Sequence, residues 1–395
     1  MKKWSVLAAG IMLQTILGGV YAWSEFVPGL VETYALSNTQ CGFIFGVVIA
    51  VFTLVMVPAG RVLSRLGPRL TAGAGALLFA SGYMVASFSG GNFLILLLGI
   101  GVLSGAGIGA GYVCPLTVAM KWFPDNRGLV TGVAVAGFGG GAVVLSYVAN
   151  WLMTGAGWDV LAVFRLVAIC FGGVAFISAL FLSEPAAEEG NGEEEEATGN
   201  LMTHLLSGPF ILLALGLFAG TFAGLLTVGN LKPILIDAGL ESKMATLGIS
   251  LFAFGNAGGR VVWGQIHDRL GSEATVVLSL FSLGFALIPL SISLPAPVML
   301  LAVTISGLGF GACFVVYASS MAHYFGVKLF PHLYPICFLG YGLAGIIGPA
   351  IGGRVADVTG SFTPAVVLSI AIVLAAAGIL GIGFWTGDFA PVEKQ

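Results

Sequence analysis

Arg260 is a charged side chain inside a long apolar run of the sequence, residues 244–266. The next acidic residue, Asp268, comes eight positions later, which is about 12 Å along a helix, and no Asp or Glu is predicted at the depth of Arg260. A guanidinium without a partner is costly in apolar surroundings, and its planar fork of donors matches a carboxylate. The pattern predicts that Arg260 binds a carboxylate ligand; the alternative is an arginine whose head reaches the membrane surface.

Further polar side chains are predicted at the level of Arg260. Asn256 precedes it by one helical turn on the same face. Tyr112 lies nine positions before the lysine that ends its apolar run, and Tyr341 lies nine positions after the histidine that begins its run. Both rings are therefore expected at the depth of Arg260. We interpret all three as ligand-binding candidates, with hydrogen bonding to a neighbouring helix as the alternative for each tyrosine.

Aromatic residues are spaced so that they could line the same site. Phe314 follows Phe310 by one turn, and Phe338 precedes Tyr341 by three positions. Together with Tyr21 these rings are predicted to form an apolar wall, although the same spacing also suits ordinary core packing.

The composition places these residues inside a membrane. Of 395 residues, 58% are hydrophobic and 8% are charged, against about 45–50% and about 25% in soluble domains. A bilayer crossing takes about 20 apolar residues. The predicted fold is an all-α integral membrane protein with twelve transmembrane helices, at about 4–27, 41–60, 70–89, 93–120, 128–152, 161–182, 208–236, 244–266, 274–293, 297–322, 332–353 and 363–386.

An internal repeat relates the two halves of the chain. Gly105–Tyr112 recurs as Gly307–Phe314 at an offset of 202 residues, and Gly60–Gly67 recurs as Gly264–Gly271. The repeat predicts two pseudo-symmetric six-helix bundles, 1–182 and 207–395, joined by a glutamate-rich linker at 183–206. Parallel repeats of this kind are typical of transporters that bind substrate between their halves.

The distribution of Lys and Arg predicts the orientation. With the first helix starting in the cytoplasm, ten of these residues fall inside and four, namely Arg165, Lys232, Lys243 and Arg354, fall outside. Both termini and the linker are therefore predicted to be cytoplasmic, with the helices in the plasma (inner) membrane. Glu25 is expected to be exposed near an outer helix end.

Several function classes are disfavoured. The net charge of −3 and the lack of a basic run argue against a nucleic-acid partner. The five cysteines show no metal-ligand spacing, and no Ser, His and acid arrangement suggests catalysis. We expect no metal, no cofactor and no enzymatic activity, and a protein that functions as a monomer among lipids.

Two loop motifs resemble those of a known family. Gly264-Gln-Ile-His-Asp268-Arg269-Leu-Gly271 resembles the loop signature of the major facilitator superfamily. The copy in the first half contains Arg61 and Arg65 but has Ser64 in place of the aspartate. Lys121-Trp-Phe-Pro-Asp-Asn-Arg127-Gly128, together with Arg260, resembles the oxalate/formate antiporter and monocarboxylate transporter branch. The resemblance implies a gating role for the residues of these loops, Gly264, Asp268, Arg269, Gly271, Arg61, Arg65 and Arg127.

The resemblance also implies site residues. The essential cation of the branch falls on Arg260, and its aromatic cavity residues fall on Tyr21, Tyr112, Phe310, Phe314 and Phe338. Oxalate-exchanging relatives have a lysine where this chain has Tyr341, and animal monocarboxylate transporters have an aspartate at the position of Asn256.

The expected function is secondary active transport of a small monocarboxylate such as lactate, pyruvate or formate, with proton coupling ranked above anion exchange. The alternatives are an oxalate/formate-type carboxylate exchanger and, from another class, a carboxylate sensor or channel.

Overall fold

The computed structural model describes residues 2–123, 127–185, 201–292 and 294–386. Within these residues all regular secondary structure is helical, which confirms the predicted all-α membrane fold. The membrane-spanning helices are α1 Lys3–Glu25, α2 38–66, α3 68–87, α4 Phe93–Ala119, α5 Ala136–Gly155, α6 Val160–Phe181, α7 Gly208–Gly229, α8 242–270, α9 272–291, α10 Ala296–Phe325, α11 Ile336–Thr359 and α12 Thr363–Trp385. Below, α1–α6 and α7–α12 are called the two halves.

Single glycines replace two of the predicted loops between helices. Asn38–Ser87 is continuous helix except at Gly67 (φ 77°, ψ 169°), and Ser242–Leu287 is interrupted only at Gly271 (φ 78°, ψ 178°). These positions correspond in the repeat, so both halves make the same sharp turn with the same backbone conformation. Polar residues around each glycine extend the helices beyond the apolar runs, which explains why the sequence predicted longer loops.

Other connections also depart from the predicted boundaries. Helices α10 and α11 are joined by helical residues, since Ala296–Thr359 is one helical segment. The end of α1 tightens into a 3-10 stretch, Gly19–Glu25, and a short helix, Val27–Tyr34, follows it. A second short helix, Leu231–Asp237, follows α7.

The predicted linker is described only at its ends, because residues 186–200 lie outside the described part. Its last residues include a helical turn, Leu201–Leu205. At its start, Glu184 pairs with Lys121 at 2.8 Å, and the Ser183 carbonyl accepts a hydrogen bond from the Trp122 indole at 2.6 Å. The beginning of the linker is therefore held against the end of α4.

Helices α2 and α11 join the two halves at one end of the molecule, called the outer end after the predicted orientation. A Cβ at Gly42 or Gly46 would overlap the backbone of Pro349 or Gly345, so the helices approach closely only because glycine has no side chain.

Hydrogen bonds extend this contact to the helix ends. The carboxylate of Asp357, in α11, accepts from the backbone N–H groups of Asn38 and Thr39 at 3.0 and 2.9 Å, at the start of α2. Further along α2, Val57 and Gly60 are exposed. The halves are therefore closed against each other at the outer end.

We expect Gly271→Ala to destabilise the protein. A φ of 78° with ψ near 180° lies in a region that only glycine adopts readily, and strain of this kind costs about 1–3 kcal/mol. Thermal unfolding in detergent should show a lower Tm than wild type. The control is Gly378→Ala in α12, where an added Cβ meets no atom within 4 Å and Tm should not fall. Equal Tm values for the two variants would contradict the strain argument.

Candidate functional site

Arg260 lies half-buried in α8 with an aromatic ring beside it. Its Cζ is 4.5 Å from the ring centroid of Phe314 in α10, a distance suited to a cation–π contact. Its Nε donates to Asn256 Oδ1 at 3.5 Å, because residues four apart share a helix face. Among the described residues no acidic side chain forms an ion pair with Arg260. The guanidinium therefore keeps donors available for an anion.

Asn256 itself has an unused donor. The residue is only 1% exposed, and its Nδ2 has no hydrogen-bond partner among the described residues. A buried amide without a partner is unfavourable, so this N–H₂ group is suited to bond an oxygen of a ligand held by Arg260.

Two tyrosines meet across the halves near this cation. The hydroxyls of Tyr21 in α1 and Tyr341 in α11 are 2.9 Å apart and hydrogen-bonded, and both side chains are buried. The Tyr341 ring lies 5.4 Å from Phe314, the ring that contacts Arg260. Helices α1, α8, α10 and α11 thus contribute to one site.

Phenylalanines connect these groups. The Phe314 centroid lies 5.2 Å from Phe310 and 6.2 Å from Phe338, and Phe310 lies 6.2 Å from Tyr21. These separations fall within the range of favourable ring contacts, about 4.5–7 Å. The structure therefore brings together the aromatic residues that the sequence suggested as a wall.

Tyr112 joins the site indirectly. Its half-buried ring is 5.1 Å from Phe138 in α5, and Phe138 is 5.7 Å from Tyr21. The sequence analysis did not identify Phe138 as a site residue. The repeat offered a signal, since Gly137-Phe138-Gly139 corresponds to Gly340-Tyr341-Gly342.

Glycines in α1 and α5 position Tyr21 and Phe138. A Cβ at Gly18 would overlap the backbone of Phe138, and one at Gly141 would overlap the carbonyl of Thr15. The two helix backbones are therefore in direct contact, and this contact sets the T-shaped arrangement of the two rings.

The loop-motif residues lie apart from this site. Asp268, Arg269, Arg61 and Arg65 are exposed, as is the turn residue Gly271, and Gly264 packs near Val315 of α10. The side chain of Arg127 lies outside the described part of the chain. Their gating role stays a prediction.

The expectation of an exposed Glu25 is wrong. Its side chain is buried and forms an ion pair with Lys232, which lies in the short helix after α7. The prediction failed because the partner is 207 residues away in the sequence. As for metals, the described residues contain no group of three or more His, Cys, Asp or Glu suited to a metal ion.

Two solved transporters have the same fold as this chain. The chain superposes on the nucleoside transporter NupG with a TM-score of 0.79 at 11% identity, covering 97% of this chain and 100% of that one. A bacterial homolog of the human lysosomal transporter Spinster, in an inward-facing and unoccupied conformation, gives a TM-score of 0.74 at 16% identity, covering 100% and 98%. At these identities the likeness shows the fold alone.

Sequence relatives are more informative about the family. The chain is 26% identical over 352 residues to the uncharacterized MFS-type transporter YhjX of Escherichia coli strain K12, covering 87% of this chain and 86% of that protein. It is 25% identical over 385 residues to the oxalate:formate antiporter of Oxalobacter formigenes, covering 95% and 90%. It is 27% identical over 388 residues to monocarboxylate transporter 13 of Bos taurus, covering 95% and 87%.

The family model described as Major Facilitator Superfamily matches residues 7–334 and 237–394. These matches extend over both halves of the repeat, and the fold and the relatives agree with them. The chain is therefore a multi-pass membrane transporter that belongs to the Major Facilitator Superfamily.

Proposed function

We propose that the protein is a secondary active transporter of small monocarboxylates, such as lactate, pyruvate or formate. The observation that carries the proposal is Arg260, a half-buried cation with no acidic partner among the described residues, beside the Asn256 amide and the Phe314 ring. The halves 1–182 and 207–395, joined by the cytoplasmic linker 183–206, would alternate access to this site. The protein would work in the plasma membrane with both termini in the cytoplasm.

Different side chains recognise the two ends of such a substrate. The carboxylate binds the Arg260 guanidinium through two parallel hydrogen bonds and takes a third from the Asn256 amide. The phenylalanines contact the apolar part of the substrate, and Tyr21, Tyr112 and Tyr341 bond its remaining polar atoms. The functions for which two relatives are named, oxalate:formate exchange and monocarboxylate transport, support a carboxylate substrate.

Charge supports a monoanion. Among the described residues, Glu25 and Lys232 are the charged side chains that are buried, and they cancel each other. Arg260 then contributes one positive charge at the site, which a monocarboxylate neutralises. A dianion leaves one negative charge unpaired where desolvation is costly.

A second candidate is an oxalate/formate-type exchanger, which the similarity to the Oxalobacter formigenes antiporter favours. A carboxylate sensor or channel is the alternative from another class. These alternatives are distinguished by an uptake experiment. Liposomes containing the purified protein are tested for uptake of labelled lactate, formate and oxalate. A channel conducts ions electrically, a sensor binds without flux, and an exchanger needs an anion on the opposite side.

We expect Arg260→Lys to abolish most uptake. Lysine keeps the charge but lacks the planar fork that holds a carboxylate in two hydrogen bonds, so uptake should fall at least about tenfold, equivalent to 1.4 kcal/mol. The measurement is initial uptake of labelled lactate at equal membrane expression. Arg165→Lys is the matched control, since Arg165 is exposed and contacts the ring of Phe88, and its uptake should stay normal. Near-normal uptake by Arg260→Lys would remove the binding role.

Tyr341→Lys should shift preference toward dianions. The Tyr341 ring lies 5.4 Å from Phe314, the ring that contacts Arg260, so a lysine at this position adds a second cation near the site, which compensates the second carboxylate. The ratio of oxalate to formate uptake should rise at least about tenfold. The control Tyr341→Phe loses the hydroxyl bond to Tyr21 without adding charge, so it should not raise that ratio. Wild-type oxalate uptake with the same affinity as lactate uptake would contradict the monoanion assignment.

Proton coupling is expected to appear as concentrative uptake. Liposomes without internal substrate, given an inward proton gradient, should accumulate lactate, and a protonophore should abolish the accumulation. Because an arginine side chain does not give up its proton in proteins, the proton travels on another group or on the substrate itself. Uptake that requires an internal anion and ignores the gradient would establish exchange instead.

A further inference from the structure

Glu25 and Lys232 are the only charged side chains of the described residues that are buried. Glu25 is 1% exposed and Lys232 is 3% exposed. They belong to different halves, Glu25 to the end of α1 and Lys232 to the short helix Leu231–Asp237 after α7. The ion pair between them therefore crosses the interface at the outer end.

Two further side chains complete the hydrogen bonding of the Glu25 carboxylate. Oε1 accepts from Lys232 Nζ and, at 3.0 Å, from Asn150 Nδ2 in α5, while Oε2 accepts from Thr246 Oγ1 in α8 at 2.9 Å. Asn150 Nδ2 also lies 3.0 Å from Thr246 Oγ1. Both carboxylate oxygens are satisfied in this closed arrangement, and two helices of each half contribute.

Most of these bonds cannot survive a separation of the halves. Glu25–Asn150 lies within the first half, whereas Glu25–Lys232, Glu25–Thr246 and Asn150–Thr246 all cross between halves. When the outer end opens, water replaces the lost partners around both ions. When it closes, both ions leave water together, which is tolerable only because each then compensates the other.

We propose that the Glu25–Lys232 pair is the outer gate of this transporter. The pair forms as the halves meet at their outer ends, and it must separate before a substrate can enter from that side. The gate rests on the proposed function for the alternating-access cycle, but it does not depend on which substrate is carried.

The charge pairing makes a specific prediction about single and double substitutions. Glu25→Gln leaves the ammonium of Lys232 buried without a counter-ion, and Lys232→Met leaves the carboxylate in the same state. Each single variant should favour the open outer end. The double variant Glu25→Gln/Lys232→Met buries no uncompensated charge, so it should return toward the closed arrangement of the wild type.

The test is the distance between spin labels on the two halves in the full-length protein without substrate. Thr33→Cys and Glu241→Cys provide exposed label sites, one in the short helix after α1 and one at the start of α8. Cys170, the exposed native cysteine, is replaced by alanine. Electron–electron double resonance should give mainly short distances for wild type, a several-fold larger long-distance population for each single variant, and recovery in the double variant.

Controls separate pairing from general damage. Glu32→Gln removes an exposed acid at the same outer end and should leave the distances unchanged. If a single variant is not monodisperse, the charge-exchanged Glu25→Lys/Lys232→Glu variant replaces it, and short distances in that variant support the pair. Wild-type distances in both single variants, or a double variant as open as the singles, would overturn the gate.

Failure of the gate and failure of the proposed function are distinguishable. The label distances need no substrate, so variants that follow the predicted pattern establish the gate even if liposomes take up no monocarboxylate. Conversely, normal lactate uptake with unchanged label distances in both single variants supports the transport assignment and removes the gate.

Discussion

A charged group that leaves water for the membrane interior loses its hydration, and this chain compensates for the lost hydration in two different ways. Glu25 and Lys232 satisfy each other, with Asn150 and Thr246 completing the hydrogen bonds of the carboxylate. Arg260 instead has an aromatic ring and one amide oxygen beside it, and no acid among the described residues. The first arrangement is complete in the closed structure, whereas in the proposed function a substrate anion completes the second. The proposed site and the proposed gate both follow from this difference.

The proposed site and the interface between the halves share one segment of α1. The 3-10 stretch Gly19–Glu25 contains both Tyr21, which bonds Tyr341, and Glu25, which bonds Lys232. Each of these contacts joins the first half to the second. Movement of this one segment relative to the second half therefore changes the proposed site and the outer contact together, with no need for a longer route of communication.

Local sequence signals were sufficient for much of this description. The apolar runs and the repeat predicted the helical fold, and the four-residue spacing of Asn256 and Arg260 predicted their contact, because both features depend on neighbours along one helix. The Glu25–Lys232 pair depends on how α1 meets the helix after α7, which no local pattern encodes. The single-glycine turns were missed for a different reason, since hydropathy locates the membrane boundary and not the helix end.

The unmatched charge of Arg260 has an electrical consequence. In the proposed proton symport, the loaded site holds Arg260, the monocarboxylate and the proton, whose charges sum to one positive charge. The empty protein reorients with the same single positive charge at the site, and a charge that crosses the whole field gains or loses about 2.3 kcal/mol per 100 mV. The membrane potential would then act equally on the loaded and the empty step, and a complete symport cycle would move no net charge. Without the proton the loaded site would be neutral, and only the empty step would respond to the potential.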